Sequence, residues 1–179
     1  VGGKKTTVLA ADLSDGGVIT TVTNNGKNAL ASIRASKSAT HKDVGVGETG
    51  QEMRLPPGRH PITTALREAS DFATVDRDIW IQAGKVLRIQ ERFTTGQLTV
   101  TVTQDGKPVD ANVRLAKPNA SDFFNYFPAP GTVSLTPGTY DLTIDSKAAG
   151  PLERVVDSGV AVRAAATTKR TIDLTPATV

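Results

Sequence analysis

The sequence predicts an all-β protein made of two tandem antiparallel β-sandwich domains. Three observations carry this. The chain repeats itself at a spacing of about 80 residues, its apolar residues alternate with period two, and Gly, Pro and Asn/Asp-Gly breakers recur at roughly 8–12-residue intervals.

The repeat is visible by direct alignment. Residues 16–35 read GGVITTVTNNGKNALASIRA and residues 96–115 read GQLTVTVTQDGKPVDANVRL, with eight identities in 20 positions. Chance would supply about one or two. The identities are Gly16/Gly96, Thr21/Thr101, Val22/Val102, Thr23/Thr103, Gly26/Gly106, Lys27/Lys107, Ala31/Ala111 and Arg34/Arg114. Further on, Leu55, Pro57 and Gly58 match Leu135, Pro137 and Gly138 at the same offset, and Ile79, Ile81 and Phe93 match Val160, Val162 and Leu174 one residue later. The expected division is a leading strand at 1–13, a first repeat at 14–94 and a second at 95–179.

The elements follow in order. LTVTV at 98–102 alternates apolar and polar residues, the mark of a half-buried strand. It runs into Gln104-Asp105-Gly106, as its counterpart runs into Asn24-Asn25-Gly26. Both are tight hairpin signals, because the central residues must adopt positive φ. The next strand, Val109 to Leu115, places Val109, Ala111, Val113 and Leu115 on one face. Later strands are expected near 139–145, 159–163 and 168–174, separated by Pro137-Gly138 and Gly150-Pro151. Thr63 to Asp71 is the most helix-like run and is short, enough for a single turn. Residues 1–13, VGGKKTTVLAADL, match the pattern that closes each repeat, as in IQAGKVLRIQERF and VRAAATTKRTIDL. Two readings stay open: the last strand of a preceding domain, or an extra edge strand of the first repeat.

The second repeat carries a G-x-L-x-V-x-V opening, D-G-K-P-V-x-x-A-x-V and an L-x-P-G-x-Y centre. The residues are Gly96, Leu98, Val100, Val102, Asp105 to Val109, Ala111, Val113, Leu135, Pro137, Gly138 and Tyr140. This resembles the carboxypeptidase-regulatory-like or transthyretin-like (prealbumin-like) modules, whose sandwich is Ig-like. The first repeat departs from the pattern, with Asn28 at the turn Pro and His60 at the Tyr. The resemblance implies accessory or spacer modules of larger bacterial exported proteins, hence an extracytoplasmic location. It rests on turn and core residues and transfers no catalytic role.

Composition narrows the chemistry. The chain has no Cys, so disulfides, thiolate metal sites and Cys nucleophiles are excluded. It begins at Val1 with no Met, the start expected of a processed or excised product. Net charge is +3 at pH 7, with 11 basic and 9 acidic side chains over 14–94 and 8 of each over 95–179. Such interspersed charge gives no nucleic-acid footprint, and no apolar run is long enough for a transmembrane helix. Lys4-Lys5 and Lys169-Arg170 read as solvent-facing charges that discourage edge pairing. A triad would need His41 or His60 as base. His60 occupies the slot of Tyr140, a structural position, and His41 lies in the polar stretch SKSATHKD. Transthyretin-like hydrolases end in Tyr-Arg-Gly-Ser, whereas this chain ends Leu174-Thr175-Pro176-Ala177-Thr178-Val179. Zinc would want three or four His or Cys ligands at close spacing, and the sequence has two His and no Cys. Asp71, Asp76 and Asp78 are the densest acids, read as a solvated, partly paired loop rather than a calcium site.

Four of the eight aromatics, Phe123, Phe124, Tyr126 and Phe127, fall within five positions, where the first repeat has Asp43, Val44, Val46 and Gly47. They either pack or form an exposed patch. In a strand Phe124 and Tyr126 would share the face opposite Phe123 and Phe127. Trp80 would point away from Ile79 and Ile81, covering the inter-repeat junction or standing exposed. These five aromatics are the candidate interaction patch; no catalytic, cofactor or metal residue is assigned. The function expected is a non-catalytic structural, spacer or protein-interaction module, partnered by protein or by other domains of its parent chain. The alternatives are a carbohydrate-binding or adhesive module using 123–127, and a transthyretin-like hydrolase.

Overall fold

A computed structural model describes residues 14–37, 42–146 and 154–174. The expected leading strand at 1–13, with Lys4-Lys5, and His41 lie outside the described residues, as does the chain beyond Leu174.

The described chain is all-β. The first eight strands are β1 (Gly16–Asn24), β2 (Lys27–Asn28), β3 (Ala31–Ser36), β4 (Asp43–Glu48), β5 (Glu52–Leu55), β6 (Gly58–Leu66), β7 (Thr74–Ile81) and β8 (Val86–Phe93). The next eight repeat the order: β9 (Gly96–Gln104), β10 (Lys107–Pro108), β11 (Ala111–Ala116), β12 (Asn125–Ala129), β13 (Gly131–Leu135), β14 (Gly138–Asp145), β15 (Arg154–Val162) and β16 (Thr167–Asp173). Each half is a sandwich of two sheets. One has β1 at its centre, with β2 and β5 on one side and β8 on the other; the second runs β4-β3-β6-β7. The other half repeats this as β10/β13-β9-β16 and β12-β11-β14-β15. The alternation in sequence is what builds the layers. Leu98, Val100 and Val102 of β9 turn inward to meet Val113 and Leu115 of β11 and Leu142 and Ile144 of β14, all buried in one core. The first half does the same with Val18, Ile33, Leu55 and Ile62.

The pairings are antiparallel with one exception in each half. The last strand joins the first in parallel: Gly17↔Val86 through Asn24↔Phe93, and Gln97↔Thr167 through Thr103↔Asp173. A parallel pair of terminal strands has a geometric consequence. The chain comes in at one end of the sandwich and leaves at the other, a strand length further on, roughly 25–30 Å.

Other local expectations are refined. Thr63 to Leu66 continue β6, and a turn follows in place of any helix, with Leu66, Ala69 and Ala73 buried beneath it. The strand expected from Val109 begins at Ala111, because the chain crosses from the sheet of β10 to that of β11 between Pro108 and Ala111. Both hairpin turns take the expected backbone: φ is 51° and 78° at Asn25-Gly26 and 50° and 71° at Asp105-Gly106. The shared Gly16/Gly96 has a different cause. A Cβ there would lie 2.3 Å from the Gln82 carbonyl oxygen or 2.1 Å from that of Arg163, where the chain turns into β8 or β16.

These two glycine types fail differently when replaced. Gly106→Val forces a β-branched residue into left-handed backbone and is expected to cost about 1–3 kcal/mol. Gly96→Ala must displace backbone and should cost a similar amount, about 1–3 kcal/mol. Urea unfolding checks both; a midpoint unchanged from wild type for either variant contradicts the geometry.

Candidate functional site

Two features stand out: the seam between the halves and an aromatic recess on the second. The seam is built from end turns. Only Thr94 and Thr95 separate β8 from β9. Thr95 is 2% exposed and is clamped by the β1–β2 turn. Its N–H donates to Asn25 Oδ1 at 3.2 Å, Asn25 Nδ2 donates back to the Thr95 carbonyl at 2.9 Å, and Asn24 Nδ2 donates to Thr95 Oγ1 at 2.7 Å. Asn24 Nδ2 also reaches Glu68.

A second clamp lies on the other sheet. The β6–β7 turn of the first half projects Ser70 and Asp71 onto the second. Ser70 N donates to the Ser134 carbonyl at 2.7 Å, and Asn125 Nδ2 donates to the Ser70 carbonyl at 2.6 Å. Asp71 Oδ2 accepts from Thr136 N at 3.1 Å, from the Thr136 hydroxyl, and from Tyr140 Oη at 2.8 Å. Lys117 Nζ stands 3.8 Å away and 4.1 Å from the Tyr140 ring centroid, so a cation balances the carboxylate. The Asp71 side chain is only 3% exposed. The expectation of a solvated acidic loop is therefore corrected: donors from the second half draw Asp71 out of water, which a buried carboxylate requires. Asp76 accepts from Thr63 Oγ1 at 2.6 Å and Asp78 pairs with Arg59, so the three acids do not converge.

Tyr140 is fully buried, and its hydroxyl oxygen also lies 2.7 Å from the Thr136 carbonyl oxygen. Burial, first, pushes its ionisation well above the ordinary phenol range; the hydrogen bond with the Thr136 side-chain hydroxyl, 3.1 Å away, opposes this, and the Asp71 hydrogen bond and charge add to it. His60 holds the equivalent place. It is buried, with Nε2 2.8 Å from the Pro56 carbonyl, four residues upstream as Thr136 is from Tyr140. Each ring thus ties down the turn before its own strand.

The aromatic stretch divides. Phe127 is buried in the core, and Phe124 packs on it with its ring centroid 5.9 Å from that of Tyr140. Phe123 and Tyr126 are 50% and 66% exposed. The strict strand alternation expected across 123–127 fails because β12 begins only at Asn125, so Phe123 sits before the strand. Phe123 and Tyr126 flank a recess of about 270 Å³ completed by Asn112, Arg114 and Asp145. Arg114 Nε meets Asp145 Oδ2 at 2.6 Å, and its guanidinium carbon lies 5.1 Å from the Phe123 ring centroid. Cross-strand register sets Tyr126, Arg114, Thr143 and Val156 in one row; the first half has Val46, Arg34, Thr63 and Asp76 there. Trp80 is 65% exposed on β7, where it lines a separate depression with Lys85 and Leu87. The five candidate aromatics are thus not one patch.

Among the described residues, the candidate base His60 is buried with its Nε2 on the Pro56 carbonyl. Among the described residues, no group of three or more His, Cys, Asp or Glu could hold a metal ion. Glu91, buried and paired to Arg77 Nε at 2.8 Å, ties β8 to β7. No helix among the described residues is long and apolar enough to cross a membrane.

No family model matches the chain, and no curated protein matches it. Solved structures do. The Bacillus anthracis TIE protein is 12% identical with a TM-score of 0.41, covering 89% of this chain and 34% of that one. GBS52, the minor pilin of Streptococcus agalactiae, is 10% identical with a TM-score of 0.44, over 93% of this chain and 97% of its own. The shaft pilin SpaA of Lactobacillus rhamnosus GG is 9% identical with a TM-score of 0.40, over 93% and 99%. The chain thus spans about a third of the TIE protein.

The Tyr140 geometry predicts a pH response. Tyr140 ionises later folded than unfolded, so stability is full below the unfolded value of 10.0 and falls as pH rises above it. Tyr140→Phe removes a donor from Asp71 and should cost about 1–3 kcal/mol at pH 7 while flattening the loss above pH 10. Urea unfolding from pH 8 to 11.5 reads both; parallel curves for the two proteins contradict the assignment.

Proposed function

We propose that the chain is a non-catalytic spacer: two sandwich modules, 14–94 and 95–179, held end to end in a larger extracytoplasmic bacterial protein. The observation that carries this is the linkerless seam. A flexible tandem would leave several free residues between modules, whereas here Thr95 and Asp71 are buried between the two halves, with Thr95 Oγ1 and Asp71 Oδ2 hydrogen-bonded across the seam. With first and last strands parallel, each module passes the chain forward, so copies joined in this way extend rather than fold back. On the motif residues of the second repeat we group the modules with the carboxypeptidase-regulatory-like and transthyretin-like sandwiches. The partners proposed are neighbouring domains of the parent chain and other surface proteins.

A second reading is favoured by the recess. Two exposed rings beside an arginine, a carboxylate and an amide suit a sugar, whose apolar ring face stacks while its hydroxyls pair with charged groups. On this reading the second module is also adhesive, and Tyr126 and Phe123 are its contact residues.

Two measurements test these readings. Residual dipolar couplings from both halves should fit one alignment tensor in the wild type and require two in Asp71→Ala/Thr95→Ala; two tensors in the wild type contradict the rigid spacer. A glycan array should show binding that Tyr126→Ala abolishes with the melting temperature nearly unchanged; a blank array removes the adhesive reading.

A further inference from the structure

We infer that the chain bears tension, and that the parallel ladder joining the first and last strand of each half is the clamp that resists it. The inference rests on the spacer reading for its biological sense, though not for its mechanics. It starts from direction. A pull on the two ends of the chain reaches the first half through the start of β1 and leaves it through the end of β8. These strands are neighbours, parallel, and paired over eight residues each, Gly17–Asn24 against Val86–Phe93. The pull drives β1 and β8 past one another along their length. Every hydrogen bond of the ladder then lies across the direction of sliding and is loaded at once. An antiparallel terminal pair would instead be pulled open from one end, bond by bond.

The second half is built alike, with seven pairs between Gln97–Thr103 and Thr167–Asp173. Both ladders are extended at their ends by further backbone contacts. Gly17 N donates to the Lys85 carbonyl at 2.8 Å, and Gln97 N to the Ala166 carbonyl at 2.8 Å. At the far end Asn25 N donates to the Phe93 carbonyl at 3.1 Å, and Leu174 N to the Thr103 carbonyl at 2.7 Å. The side chains back the ladder as well. Val18 is buried in one apolar cluster of the first half and Val22 and Phe93 in another, and Leu98, Val102 and Ile172 are buried in the core of the second, so sliding must also shear packed side chains. Between the two ladders the load crosses only Thr94 and Thr95, and Thr95 is held by Asn24 and Asn25 at the end of β1. The force path therefore passes from one ladder to the next through a residue that is itself fastened.

The test compares two directions of pull on one fold. The chain has no Cys, so paired cysteines give unique handles. Handles at Asp15→Cys and Thr94→Cys load β1 and β8 in shear. Handles at Asp15→Cys and Lys85→Cys grip the same two strands at their common end and peel them. All three positions are exposed, and matching circular dichroism and thermal melts establish that the variants fold. Forced unfolding reads the unfolding barrier along the pulled direction. The shear pair should unfold at a force several-fold higher than the peel pair. Equal forces overturn the clamp and leave the spacer reading standing, because that reading is decided by the orientation of the two halves in solution and not by their strength.

Discussion

The parallel pairing of first and last strand is the constraint from which the rest of this architecture follows. A sandwich closed by an antiparallel terminal pair returns the chain to the end where it began. Here β8 lies along β1 in the same direction, so the end turns of the first half and the chain's exit lie together. The β1–β2 turn, the β6–β7 turn and Thr95 all gather at that end. The second half presents β9, Thr136 and Lys117 to them. The seam is thus a consequence of topology, and the side chains then make it specific.

The seam uses polar groups where an apolar contact would serve for adhesion alone. A buried carboxylate such as Asp71 is costly unless its partners are in place. Thr136, Tyr140 and Lys117 of the second half gather around its Oδ2. A packed but misaligned seam would leave the carboxylate dry and unpaired, so the network disfavours other packed orientations. That is a way of fixing direction between two small sandwiches without a large apolar interface.

Much of the fold is legible in the residues themselves. Alternation, the Asn-Gly and Asp-Gly turns, and the 80-residue offset all act locally, so they appear in sequence. The repeat even explains why Gly16 and Gly96 agree, although the cause, a carbonyl 2.3 or 2.1 Å from an added Cβ, is invisible before folding. Strand direction is not local. Nothing in the pattern of β8 distinguishes parallel from antiparallel pairing with β1, because both bury alternate residues. The seam is hidden for the same reason: Asp71 and Tyr140 are 69 residues apart, and Asp71 reads as one acid in a polar loop. A trace existed in the differences between the copies, since Thr136, Tyr140 and Asn125 stand where the first repeat has Pro56, His60 and Gly45. These departures mark where the second copy meets the first.

The central claim is that the chain is carried forward through both halves. It is tested most directly by the distance between labels placed at the exposed positions Asp15 and Thr171, measured by pulsed electron–electron resonance or energy transfer on a double-cysteine variant. Two forward steps predict a single narrow distribution at roughly 50–60 Å, two strand lengths. A distance near half that value, or a broad spread, would mean that the halves fold back or swing freely, and would contradict the account.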